Sequence, residues 1–193
     1  MQLDLPDIYA QIDHHSYSLE NAEMREVRLS HLEGYFFDKK AYEALLKKED
    51  QLVYKVTSKE PNQGDGQLHY GLGCLMPGRV GNEYFLTKGH FHSYRPAAEI
   101  YIGLNGEGQM LLEDESTGAY KLVPFKKDSI VYVPGYTAHR TINTGHEPLT
   151  YIGVYPANAG HDYGVIAERN FLAILIDQGG VPALHKRSDY ALN

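Results

Sequence analysis

From about residue 52 onward the chain breaks into short runs that alternate apolar and polar side chains, each ended by turn residues. Residues 52–56 alternate, and Pro61-Asn62-Gln63-Gly64-Asp65-Gly66 is a turn. Residues 68–76 form a second run that stops at Pro77-Gly78, and 83–87 form a third. Residues 98–104 and 109–113 flank Asn105-Gly106-Glu107-Gly108 and read as a hairpin; 120–123, 129–133, 140–143 and 150–155 follow. The apolar run 171–176, rich in β-branched residues and followed by Gly179-Gly180, reads as a last strand. Many short strands at near-regular spacing indicate a barrel or a sandwich rather than a parallel α/β sheet.

Ahead of this pattern, residues 1–25 show no clear period and read as an arm with a short helix or two. Residues 26–33 alternate and suggest a first strand ending at Gly34. Asp38 can cap a helix that carries Tyr42, Leu45 and Leu46 on one face through Glu49, with Lys47 and Lys48 at its C-terminal end. With 193 residues the chain suits one domain, 1–193. The expected division is an arm, strand and helix over 1–50, the barrel over 51–176 and a tail over 177–193.

Charge and cysteine content narrow the function classes. With 18 Lys+Arg against 25 Asp+Glu the net charge is −7, and no basic surface offers itself to nucleic acid. Cys74 is the sole cysteine, in an apolar strand, which fits an inert core thiol in a reducing compartment. Met1-Gln2-Leu3-Asp4-Leu5-Pro6 lacks a basic and an apolar leader region, and no apolar run approaches a membrane span. The expectation is a soluble cytoplasmic protein.

Chemistry concentrates in Thr87-Lys88-Gly89-His90-Phe91-His92 and in the residues up to Glu99. In an extended strand, residues two apart share a face, so the rings of His90 and His92 point the same way. Imidazoles with one carboxylate suit a transition metal; Glu99 supplies the carboxylate, and His139 is the natural fourth ligand. A lone His-x-His is weak by itself, since two strand histidines need no metal.

Gly106 follows Glu99, and Pro134-Gly135-Tyr136-Thr137-Ala138-His139 followed by Asn143 closes a second motif. Together these resemble the two motifs of the cupin superfamily. The chain departs from the generic pattern in the six residues between His92 and Glu99, in Asp128 where Gly is usual, and in Tyr136 where Gly is usual. Thr87 to His92, Val131-Tyr132-Val133-Pro134, Ala138-His139-Arg140-Thr141-Ile142-Asn143-Thr144-Gly145, Tyr155-Pro156-Ala157 and Gly160-His161-Asp162-Tyr163-Gly164 look like the cupin-type glucose-6-phosphate isomerases best known from archaea. The resemblance covers residues 71–168.

It implies an all-β cupin barrel (a double-stranded β-helix, or jelly roll) with a few short peripheral helices. It also implies interconversion of glucose 6-phosphate and fructose 6-phosphate, a step of glycolysis and gluconeogenesis, in a homodimer. One divalent ion per subunit would sit on His90, His92, Glu99 and His139: Fe2+ first, with Mn2+, Ni2+, Co2+ or Zn2+ as alternatives. Glu99 is the implied catalytic base, although a metal-bound carboxylate is a poorer one, which keeps a hydride shift open beside an enediol route. Thr87 and Gly89 are the implied phosphate contacts, with His161 and Tyr163 completing the site. Where the family has a second hydroxyl residue on the preceding strand, this chain reads Tyr70-Gly71-Leu72-Gly73.

Tyr101 and Tyr136 are candidates for sugar hydroxyls, and Lys88 and Arg95 for steering an anion. Tyr54 reads better as packing. His14, His15, His69, His146 and His185 lack supporting spacing and read as structural. Two other functions use the same motif: a metal-dependent oxygenase, since three His and one Glu support Fe or Cu oxygen chemistry, and a non-catalytic sugar-binding cupin.

Overall fold

A computed structural model describes residues 9–191. Its strands are β1 (Ile12–Asp13), β2 (Ser18–Leu19), β3 (Glu23–Arg28), β4 (Leu52–Lys59), β5 (Leu68–Leu75), β6 (Arg79–Val80), β7 (Glu83–Tyr84) and β8 (Glu99–Asn105). They continue as β9 (Glu107–Asp114), β10 (Tyr120–Lys126), β11 (Ile130–Val133), β12 (Thr137–Asn143), β13 (Leu149–Pro156), β14 (Ala173–Gln178) and β15 (Val181–Lys186). The α-helices are α1 (Lys39–Lys48) and α2 (Gly164–Arg169). One sheet runs β11-β8-β13-β5-β4-β3, a second β10-β9-β12 and a third β15-β14-β7-β6. Every pairing in them is antiparallel. This is the expected all-β barrel of antiparallel strands with short peripheral helices.

The sheets enclose one large apolar core that includes Phe85, Phe91, Phe125 and Phe171, all nearly fully buried. Each such ring contributes on the order of 1.5–3 kcal/mol by leaving water. Alternation sets what faces inward: along β8, Glu99, Tyr101 and Gly103 are buried while Ile100 and Ile102 are exposed. The same pleat that builds the core therefore turns Glu99 and Tyr101 into the barrel.

The helix at 39–48 forms for the reasons read from sequence. The Asp38 carboxylate accepts from the Ala41 N–H at 2.9 Å, and Tyr42 is buried with its hydroxyl donating to the Leu29 carbonyl at 3.0 Å. The strand expected over 26–33 is shifted. Strand β3 ends at Arg28, and a 3-10 turn, Leu29–Leu32, buries both of its leucines. Among the described residues the N-terminal arm holds no helix before α1 other than that turn; residues 1–8 lie outside them. Instead β1 and β2 pair as a small hairpin, and Leu19 packs with Leu72 and Cys74 against the outside of the six-stranded sheet.

The largest departure is at 105–108. Strands β8 and β9 are consecutive yet do not form a hairpin: β8 pairs with β11 and β13, β9 with β10 and β12. Gly106, at φ +74°, turns the chain from one sheet to the other, and a Cβ there would lie 2.6 Å from the Pro148 carbonyl. The tail expected over 177–193 is also structured through residue 191. Strands β14 and β15 are joined by Gly179-Gly180, both at positive φ, as a two-residue hairpin turn requires.

Candidate metal centre and active site

The His-x-His stretch is not part of a continuous ladder. It is held by single bridges, His90 to His139 and Phe91 to Asp162. The His90 N–H donates to the His139 carbonyl at 3.2 Å and the His139 N–H to that of His90 at 3.1 Å. Beneath them Arg140 donates to Asn170 Oδ1 at 2.9 Å and to the Lys88 carbonyl, with its guanidinium 4.4 Å from the Phe171 ring centre. Gly89, at φ +72°, sits where a Cβ would meet Phe171 at 2.6 Å and Arg140 at 2.9 Å. Glycine is thus required here by the core behind it as much as by any ligand in front.

His90, His92, Glu99 and His139 converge as the spacing requires, with one ligand atom from each lying within 4.8 Å of the others. The His92 and His139 Nε2 atoms are 3.2 and 3.1 Å from Glu99 Oε2. On the far side of the rings, His92 Nδ1 donates to the Ala97 carbonyl at 3.0 Å and His139 Nδ1 to that of Thr137 at 3.3 Å. Backbone carbonyls on Nδ1 turn Nε2 toward the centre.

Burial raises the Glu99 carboxyl, but the imidazoles of His139 and His92 beside it outweigh this and hold the group down at about 2. Burial, then repulsion from His139, His161 and His92, keeps His90 well below the usual imidazole range, so it is neutral. The Nε2 atoms of His90 and His139 are buried and lack a hydrogen-bond partner, the His139 atom being close to Glu99 without the alignment of a bond. Orphaned buried acceptors are costly unless something binds them. Three imidazoles and one carboxylate sharing such a pocket fit a divalent transition metal.

A cavity of about 330 Å³ opens beside this cluster. Of the residues expected there, Thr87, Gly89, Tyr101, His161 and Tyr163 line it, together with His90, Glu99 and His139. Tyr54 lines it as well, while packing in the apolar core as expected. His161 and Tyr163 stack at 6.0 Å, and His161 lies 4.6 Å from the His90 ring.

Tyr136 is not brought in. It is 53% exposed, at φ +59° in the turn before β12, and does not line the cavity. Arg95 is not a free charge either: it pairs with Glu115 at 2.8 Å and Asp162 at 2.6 Å and also reaches the His92 carbonyl. It therefore braces both the His90–His92 stretch and the segment bearing His161 and Tyr163. A larger recess of about 710 Å³ lies between the β14–β15 hairpin and the start of α1, and none of the four ligands lines it.

Several lining residues carried no sequence signal. Thr141 links Tyr151 (2.9 Å) to Thr87 (3.3 Å) through hydroxyls, and the Thr141 N–H also donates to Thr87 Oγ1 at 3.1 Å. Thr87 thus accepts twice and keeps its own proton for the cavity. Gly153 on β13 lies opposite Tyr101, where a Cβ would come within 2.7 Å of Glu99 Oε1. Arg25, on β3, lines the cavity 5.9 Å from the Tyr163 ring centre. No motif marks these positions; strand pairing alone collects them.

Fold and site together define an antiparallel β-barrel in which three histidines and a glutamate cluster beside a polar, aromatic-walled cavity. The family model described as Glucose-6-phosphate isomerase (GPI) matches residues 26–192. A glucose-6-phosphate isomerase of Pyrococcus abyssi (strain GE5 / Orsay) is 49% identical over 153 residues, covering 79% of this chain and 80% of that one. That of Pyrococcus horikoshii is 45% identical over 170 residues, covering 88% and 89%. That of Sinorhizobium medicae (strain WSM419) is 38% identical over 154 residues, covering 79% and 72%. The chain belongs to the glucose-6-phosphate isomerase family.

Proposed function

We propose that this protein is a metal-dependent aldose–ketose isomerase that interconverts glucose 6-phosphate and fructose 6-phosphate as a cytoplasmic homodimer. The observation that supports the reading is the meeting, in one cavity, of His90, Glu99 and His139 from the four-residue cluster with Thr87, His161 and Tyr163. His90, His92, Glu99 and His139 would hold one divalent ion, Fe2+ first, with Mn2+, Ni2+, Co2+ or Zn2+ as alternatives. Bound there, such an ion supplies Lewis-acid polarisation of the substrate carbonyl, worth several kcal/mol.

The chain's own groups do the rest. Glu99 presents Oε2 to the histidines and Oε1 toward Gly153. In the enediol route it takes the proton from C2 of the open-chain aldose and returns it to C1, while the hydroxyl proton passes from O2 to O1. Held down at about 2, it is ionised and can accept that proton, although as a weak base. Thr87, with its free hydroxyl proton, and the backbone at Gly89 would meet the phosphate, and Tyr101, His161 and Tyr163 would frame the sugar.

An oxygenase acting on an apolar substrate, the other reading open to this ligand set, has no use for those polar contacts. For the second copy, the outer face of β8 and β11 is available, with Ile130 70%, Tyr132 61%, Ile100 42% and Ile102 37% exposed. The absence of any helix long and apolar enough to cross a membrane, among the described residues, is compatible with the cytoplasm. A coupled assay for glucose 6-phosphate formed from fructose 6-phosphate tests the reading. Turnover without oxygen uptake is expected; oxygen consumption with no isomerisation would overturn it.

A further inference from the structure

A sugar phosphate brings concentrated negative charge into a protein whose net charge is already −7. The cavity wall must answer that charge, and most cations near it are committed elsewhere. Arg140 is 2% exposed, and its two terminal nitrogens donate to Asn170 and to the Lys88 carbonyl. Arg95 is held by Glu115 and Asp162 and does not line the cavity. The Lys88 ammonium sits over the Tyr35 ring at 5.8 Å and does not line it either.

Arg25 is left. It lies on β3 opposite Val56 of β4, and both residues line the cavity. Among the described residues it forms no ion pair, although Glu23 and Glu60 share the cavity rim. The guanidinium lies 5.9 Å from the centre of the Tyr163 ring, which fixes its position without neutralising it. A planar fork so placed can donate two hydrogen bonds to a phosphate.

We infer that Arg25 is the cationic ligand of the substrate's phosphate, a specificity-determining residue supplied by the N-terminal strand rather than by the barrel motifs. The assignment rests on the isomerase reading above. The tests are Arg25→Ala and Arg25→Lys in the metal-loaded enzyme, read by KM for fructose 6-phosphate, by kcat, and by the constant for competitive inhibition by inorganic phosphate. Arg25→Ala should raise both KM and the phosphate constant at least about tenfold, as loss of a charged hydrogen bond does, with a much smaller change in kcat. Arg25→Lys should recover part of the phosphate binding.

Unchanged KM and phosphate inhibition in both variants would overturn the assignment. So would a loss confined to kcat, which would mark Arg25 as a structural support. Equilibrium dialysis with labelled phosphate separates this from the functional reading. A wild-type protein that binds phosphate through Arg25 but does not turn over fructose 6-phosphate would sink the isomerase reading and leave the anion site standing.

Discussion

Glu99 carries two tasks at once: one oxygen faces the imidazoles, and the other faces the open side of β13. Replacing it with Gln keeps size and one oxygen ligand but removes the base. If the enediol route operates, Glu99→Gln should retain metal and lose about 10²–10⁴-fold in kcat. In heavy water the wild-type product should carry solvent deuterium. A product free of deuterium in a single turnover, with Glu99→Gln still active, would leave a direct hydride shift as the route. The four-residue cluster was legible because ligand chemistry dictates residue type and the strand period dictates spacing. Arg25 was not, since nothing in Glu23-Met24-Arg25 tells an exposed strand cation from one aimed into a cavity.

At the scale of elements, the site depends on how closely β13 lies against β8. Gly153 leaves room for the Glu99 carboxylate, and its φ is not positive, so alanine meets no backbone strain there. The added Cβ would displace the end of a flexible side chain rather than the sheet. Gly153→Ala should therefore unfold near the wild-type temperature while losing on the order of 10²-fold in turnover, the effect of a displacement of about 1 Å at a reacting group. Normal turnover would show that Glu99 can work from elsewhere.

Elements were legible where local chemistry decides them, as at the Asp38 cap of α1. They were misread where pairing decides. Turn residues at 105–108 announce that the chain bends but not that β9 joins a different sheet. The alternation of Val27 and Leu29 continues into a 3-10 turn because Leu29 and Leu32 are drawn into the same core.

For the whole molecule, two features remain to be joined: a rigid barrel around the site and an apolar outer face. Strand β11 is the edge of the six-stranded sheet, and on its outer face Ile130 pairs with Ile102 and Tyr132 with Ile100. An exposed apolar edge favours association. The wild type should sediment at twice the chain mass, and Ile130→Lys should sediment as a folded monomer; a wild type that is monomeric at all concentrations would remove the dimer.

The central claim is that the four-ligand cluster is a metal site on which isomerisation depends. Its most direct test strips the protein with chelator, verifies by elemental analysis that no metal remains, and follows fructose 6-phosphate conversion as Fe2+, Mn2+, Ni2+, Co2+ and Zn2+ are added singly. The barrel should stay folded by circular dichroism, because its stability rests on a large apolar core and paired strands, while turnover vanishes. Activity should return as one equivalent of ion per chain is taken up. Full turnover in folded, demonstrably metal-free protein would contradict the account.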